Sequence, residues 1–127
     1  MGFSSFAAVG MGAAAGAWMR WWLGLLLNSF IPTLPLGTLA ANLIGGYVMG
    51  LALGVFSHYT SLPAEARLFV TTGFLGGLTT FSTFSAEAVT LLMRQQLSWA
   101  AAHIALHVIG SLLMTMLGIF TINLIKG

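Results

Sequence analysis

Residues 73–85 read GFLGGLTTFSTFS: three glycines, then Ser or Thr at five of the last seven positions, with phenylalanines three apart. The stretch lies inside a long apolar run. Each glycine costs a helix about 1 kcal/mol relative to Ala. The hydroxyls compete for backbone carbonyls. A helix that breaks near residues 77–80 and then resumes is therefore expected. Broken backbone is tolerated at membrane depth only where it is buried in protein or lines a cavity, and it exposes groups that can hold ions. The expected functional centre of the chain is this break.

Composition says that the solvent is a bilayer. Of 127 residues, 58% are hydrophobic and 5% charged, and mean hydropathy is +0.99. A soluble domain carries about 25% charged residues. The net charge of +2 comes from four Lys/Arg and two Asp/Glu, too small a surplus to suggest nucleic-acid binding. The absence of cysteine excludes disulfides and thiolate metal sites. The N-terminal MGFSSFAAVG has no basic n-region, so a cleaved signal peptide is not expected. No nucleophile–base pair or acidic dyad is visible, so an enzyme is not expected.

A membrane helix needs about 20 mostly apolar residues. Four segments qualify, at 3–27, 36–56, 68–93 and 99–125, in a single domain over 1–127. The connecting NSFIPTLP, SHYTSLPAEAR and RQQLS hold Pro, Asn, Gln and half of the charged residues, as suits interfacial turns. The expected fold is an all-α integral membrane protein of four transmembrane helices, the third broken near its middle. Both termini then share one side with Arg67 and Lys126. The other side has Arg94, joined by Arg20 if it reaches that face. A balance of two against two gives insertion no clear direction, so the chain is expected to insert both ways and pair antiparallel.

Gly12 and Gly16 in the first segment, and Gly46, Gly50 and Gly54 in the second, form small-residue stripes at a spacing of four. Such stripes let helix backbones approach closely, within one chain or between subunits. Arg20 sits in GAWMRWW, about seven residues before the first segment ends. It either snorkels to the interface among Trp18, Trp21 and Trp22 or draws anions into a vestibule. Asn42 suits an interhelical hydrogen bond. His103, His107, Ser111 and Thr115 form one polar stripe, as along the wall of a path. The first two also leave open a haem or metal pair. Glu87 is the only acid inside a segment, placed to bond the broken stretch or to face water.

These residues carry a resemblance. GGLTTFSTFS resembles the signature of the Fluc (CrcB) fluoride channels. PLGTLAANLIGGYVMG is similar to that family's Gly-Thr-Leu-x-Val-Asn-x-x-Gly through Gly37, Thr38, Leu39, Asn42 and Gly45, with Ala41 where Val is usual. GAAAGAWMRW resembles its Gly-Ala-x-x-Arg-Tyr through Gly16, Ala17 and Arg20, with Trp21 for Tyr. The resemblance spans the whole chain in order. It implies a fluoride-selective channel in the cell inner membrane, built as an antiparallel homodimer with two pores that export fluoride passively. It implies Phe81 and Phe84 as the pore phenylalanines, and Asn42, Ser82 and Thr83 along the path. His107, Ser111 and Thr115 become the polar track and Arg20 the vestibule arginine. It also implies a sodium ion at the dimer centre, held by the carbonyls of Gly76 and Thr79.

Physical chemistry agrees in part. A pore for a small, tightly hydrated anion must replace water with donors, and hydroxyls and an Asn amide supply them. Aromatic rings present a positive edge. Two other readings stand beside this one. A four-span multidrug-type transporter needs an acid in its first segment, where the only charge is Arg20. A haem-binding membrane anchor would use His103 or His107.

Overall fold

The computed structural model describes residues 2–126. Four helical rods make the bundle. α1 is Phe3–Leu27 and α2 is Leu36–His58. The third rod is assembled from α3 (Ala64–Leu68), a π-helical segment (Phe69–Leu75), α4 (Gly76–Leu78) and α5 (Phe81–Met93). α6 is Leu97–Lys126. The expected break falls at Thr79 and Thr80, both in extended conformation between α4 and α5.

α2 and α6 are each long and apolar enough to cross a membrane. α1 is long enough, but Arg20 and its three tryptophans lower its hydropathy. The third rod is nowhere an unbroken helix of that length. The turns stop helices by recognisable means. The Asn28 Oδ1 at the end of α1 accepts from the backbone N of Gly37 at 2.7 Å, capping α2 from outside. Gln95 takes a left-handed φ of 59° between α5 and α6, and Gln96 N donates back to Leu91 O at 3.0 Å. At the rod ends, the Ser4 hydroxyl donates to Glu65 Oε2 at 2.9 Å and ties the start of α1 to α3. Glu65's own backbone N–H, then that hydroxyl, hold its carboxyl below the usual range.

Packing follows the glycine stripes. α2 runs along α6 in the most extensive contact, and α1 lies against the π segment and α4. A Cβ on Gly50 would strike the Thr115 carbonyl oxygen and lie 2.9 Å from Gly118 Cα. On the other side, a Cβ on Gly73 would lie 3.1 Å from Gly12 Cα. The stripes therefore serve contacts within the chain. The π winding was not foreseen. Its wider turn brings Gly73, and Gly77 beyond it, against the backbone of α1 between Val9 and Ala17. The small core of Leu23, Ala41, Leu75 and Leu78 lies beside the break. Large apolar side chains cover the outward faces of α1 and α6, inverting the pattern of a soluble bundle.

Gly50→Val is expected to cost roughly 1–3 kcal/mol by overpacking, because backbone atoms face the new side chain and cannot yield. Gly10→Ala meets nothing within 4 Å and should not lower stability, raising it by up to about 1 kcal/mol through helix propensity. Thermal unfolding midpoints of the detergent-solubilised proteins check the pair.

Candidate functional site

The break is held by one side chain from another rod. Asn42, on α2, accepts from Thr80 N with Oδ1 at 2.8 Å and donates from Nδ2 to Thr80 O at 3.0 Å. Thr80 N–H can only donate, so the amide orientation is fixed by the backbone it serves. The remaining Nδ2 hydrogen points at His107 Nδ1, 2.9 Å away. Nδ1 must accept there, which places the proton of a neutral His107 ring on Nε2. Thr80 also caps α5, its Oγ1 accepting from Thr83 N at 3.1 Å. Both hydrogens of the Asn42 amide are spent, so Asn42 holds the break instead of offering a free donor.

An apolar-walled cavity of about 340 Å³ opens at this point, lined by Asn42, Thr79, Thr80, Phe81, Phe84, His107, Val108, Ser111 and Leu112. The two phenylalanines meet there, as their spacing suggests: the ring centroids are 5.5 Å apart. They differ in setting. Phe81 is 77% exposed at the cavity edge, while Phe84 is 7% exposed. The Phe84 ring centroid lies 5.2 Å from that of His103 and 4.7 Å from that of His107.

The other sequence-selected residues divide between this cavity and its surroundings. Ser111 lines it, and no hydrogen bond of its hydroxyl appears among the described residues. Thr115 does not line it. Its hydroxyl donates to Gly46 O at 2.9 Å and to Ser111 O at 3.0 Å, fastening α6 to α2. Ser82 is exposed, its Oγ 3.4 Å from Thr80 Oγ1. Thr83 lies on the far side of α5, where it lines two smaller cavities. Arg20 lines one of these, of about 300 Å³, with Trp21, Asn28 and Thr38. Its Nε donates to Gly77 O at 3.1 Å, so the side chain turns inward to the break.

Gly76 and Thr79 have carbonyls that their usual partners have left. In an unbroken helix Thr80 N would donate to Gly76 O and Thr83 N to Thr79 O. Here Thr80 N goes to Asn42 Oδ1 and Thr83 N to Thr80 Oγ1. Gly76 is also exposed, with only Thr71 O near a would-be Cβ, at 3.8 Å. Two freed carbonyls, one of them on the exposed Gly76, are of the oxygen type that a hard cation takes.

Sequence reasoning did not single out Thr80 as a cap or the pairing across α5. The Thr38 hydroxyl donates to Glu87 Oε2 at 2.8 Å, and Glu87 Oε1 lies 3.4 Å from His103 Nε2. His103 is wholly buried. Both histidine rings pack against Phe84 and against each other.

A bundle that is apolar outside and polar around an interrupted central rod is a membrane protein. The chain belongs to the CrcB family: the family described as CrcB-like protein, Camphor Resistance (CrcB), matches residues 7–119. The fluoride-specific ion channel FluC of Nitrosospira multiformis is 62% identical over 123 residues, 97% of this chain and 96% of that protein. The protein of the same name from Cupriavidus taiwanensis is 56% identical over 125 residues, 98% of this chain and 99% of its own. That of Pseudomonas paraeruginosa is also 56% identical over 125 residues, 98% of each. The membership expected from the motifs is borne out.

Asn42→Ala strands Thr80 N–H, Thr80 C=O and His107 Nδ1. Each buried group left without a partner costs about 1–3 kcal/mol, so the expected loss exceeds that of a single hydrogen bond. Chemical denaturation in detergent, compared with Ser111→Ala as a cavity-lining control, measures the difference.

Proposed function

We propose that this chain is a fluoride channel. It conducts the ion passively out of the cell through a multi-pass, four-span bundle in the inner membrane. The observation that carries the reading is the Asn42-held break, which sets Phe81, Phe84, His107 and Ser111 around one cavity. Support also comes from the printed names of its relatives.

The chemistry follows from the site. A dehydrating fluoride needs donors and no competing acceptors. Phe81 and Phe84 offer ring edges of positive potential and keep water sparse. With the Asn42 hydrogens committed, a donor left at the cavity is the Ser111 hydroxyl. Arg20 supplies positive potential beside the break, raising the local anion concentration. In this proposal Ser82 and Thr83 serve the approach along α5, and Thr115 continues the track by fixing Ser111 against α2.

The proposed assembly is an antiparallel homodimer with two paths. Its motives are the two-against-two charge balance and the exposed Gly76 face, on which a second copy can lie. A sodium ion would be held there by the Gly76 and Thr79 carbonyls. When bound it would supply a fixed positive charge between the two breaks.

Fluoride efflux from liposomes holding only this protein, with chloride as control, tests the function. Fluoride should leave rapidly and chloride should be retained; equal leak of both would sink the reading. Phe81→Ile or Phe84→Ile should cut fluoride flux at least about tenfold. Volume-conserving swaps usually cost less than about 1.5 kcal/mol, so assembly should persist by size exclusion. Undiminished flux from well-assembled variants would remove the rings from the path.

Orientation has its own test. A cysteine appended to the C-terminus should react with a membrane-impermeant reagent from both faces of intact membranes. Reaction from one face alone would exclude dual insertion.

A further inference from the structure

Glu87, His103 and His107 form a cluster that the conduction reading does not use as a unit. Each offers a ligand atom, and these atoms all lie within 4.8 Å of one another. His103 is 0% exposed and His107 3%. Glu87 Oε1, both ring nitrogens of His103 and His107 Nε2 lack hydrogen-bond partners among the described residues. Buried polar atoms rarely go without partners, and here four gather in one place.

The separation of Glu87 Oε1 and His103 Nε2, 3.4 Å, is informative. It is long for a charge-assisted hydrogen bond, which closes to about 2.7–2.9 Å. It matches the edge of a tetrahedral zinc site, about 3.3 Å for bonds near 2.0–2.1 Å. The other Glu87 oxygen is already oriented by the Thr38 hydroxyl at 2.8 Å, the outer support that ligating carboxylates commonly have. Two imidazoles and one carboxylate are a donor set for a d-block dication, with a fourth position open.

We propose that Glu87, His103 and His107 form a binding site for a divalent d-block cation of the zinc type. Glu87 and His103 are spaced for it as they stand, and His107 completes it by a side-chain turn. That turn has a consequence. His107 carries its proton on Nε2 while Nδ1 accepts from Asn42. Coordination through Nε2 moves the proton to Nδ1, which then cannot face the Asn42 amide nitrogen. Metal capture therefore releases His107 from Asn42 and couples the site to the break. Entry is through the cavity of about 200 Å³ that Glu87 lines with Thr83, Thr90 and Arg94. Arg94 at that mouth, and Arg20 beyond Thr38, oppose a cation and moderate its affinity.

The site itself does not depend on the transport reading, and its test uses no flux. Isothermal titration of the full chain in detergent with Zn²⁺ should show one saturable site per protomer. Co²⁺ should give the intense visible bands of a tetrahedral centre, bleached by added Zn²⁺. His103→Gln and, as the nearly isosteric second variant, Glu87→Gln should each weaken Zn²⁺ at least about tenfold. His58→Gln, at an exposed histidine, should not weaken it. Size exclusion establishes that each variant is folded before titration. No saturable binding by the wild type, or affinity unchanged in both Glu87→Gln and His103→Gln, would overturn the proposal.

Discussion

Backbone N–H and C=O groups cannot stay unpaired where water is absent, and Thr80 is where this chain meets that constraint. The third rod stops at Leu78 and restarts at Phe81, so the Thr80 N–H has no helical partner. Asn42 stands in for the missing turn, serving both the N–H and the C=O of Thr80. Because an Asn side chain is short, α2 must lie close to the break. Gly45 supplies that closeness, since a Cβ there would run into the Thr79 methyl. Gly46 and Gly50 then let α6 approach the other side of α2, which brings His107 within reach of the same amide. The glycine-rich character of α2 thus follows from the demand of one peptide unit.

Much of this was legible in the sequence. The break was readable because glycines followed by hydroxyls weaken a helix in a known way, and the phenylalanine pair because three-residue spacing fixes a face. What was not legible depends on where hydrogens go. Asn42 looked like a donor for an ion, yet both its hydrogens are committed to Thr80 and His107. Thr115 looked like part of a wall, yet its hydroxyl bonds Gly46 O and Ser111 O. The spacing of four along α6 placed the stripe on one side but could not say which member faced α2 and which the cavity. The π segment had no signal in composition or period, because its winding answers to the fit of Gly73 and Gly77 against α1.

The break also changes which groups remain available. An unbroken helix would close Gly76 O and Thr79 O with amides four residues on. By diverting those amides to Asn42 and to the Thr80 hydroxyl, the chain leaves two carbonyls without their helical partners. The same interruption sets Phe81 at the start of α5, at the edge of the cavity. Arg20 takes the Gly77 carbonyl between them, so that dipole is satisfied while those of Gly76 and Thr79 lack their helical partners. One interruption therefore produces both freed acceptors and a phenylalanine-edged cavity. The first suits a cation and the second an anion. In the proposed dimer, two such rods meeting at their freed carbonyls would place the cation between them. Under that proposal, how one rod is broken would keep the two ions apart.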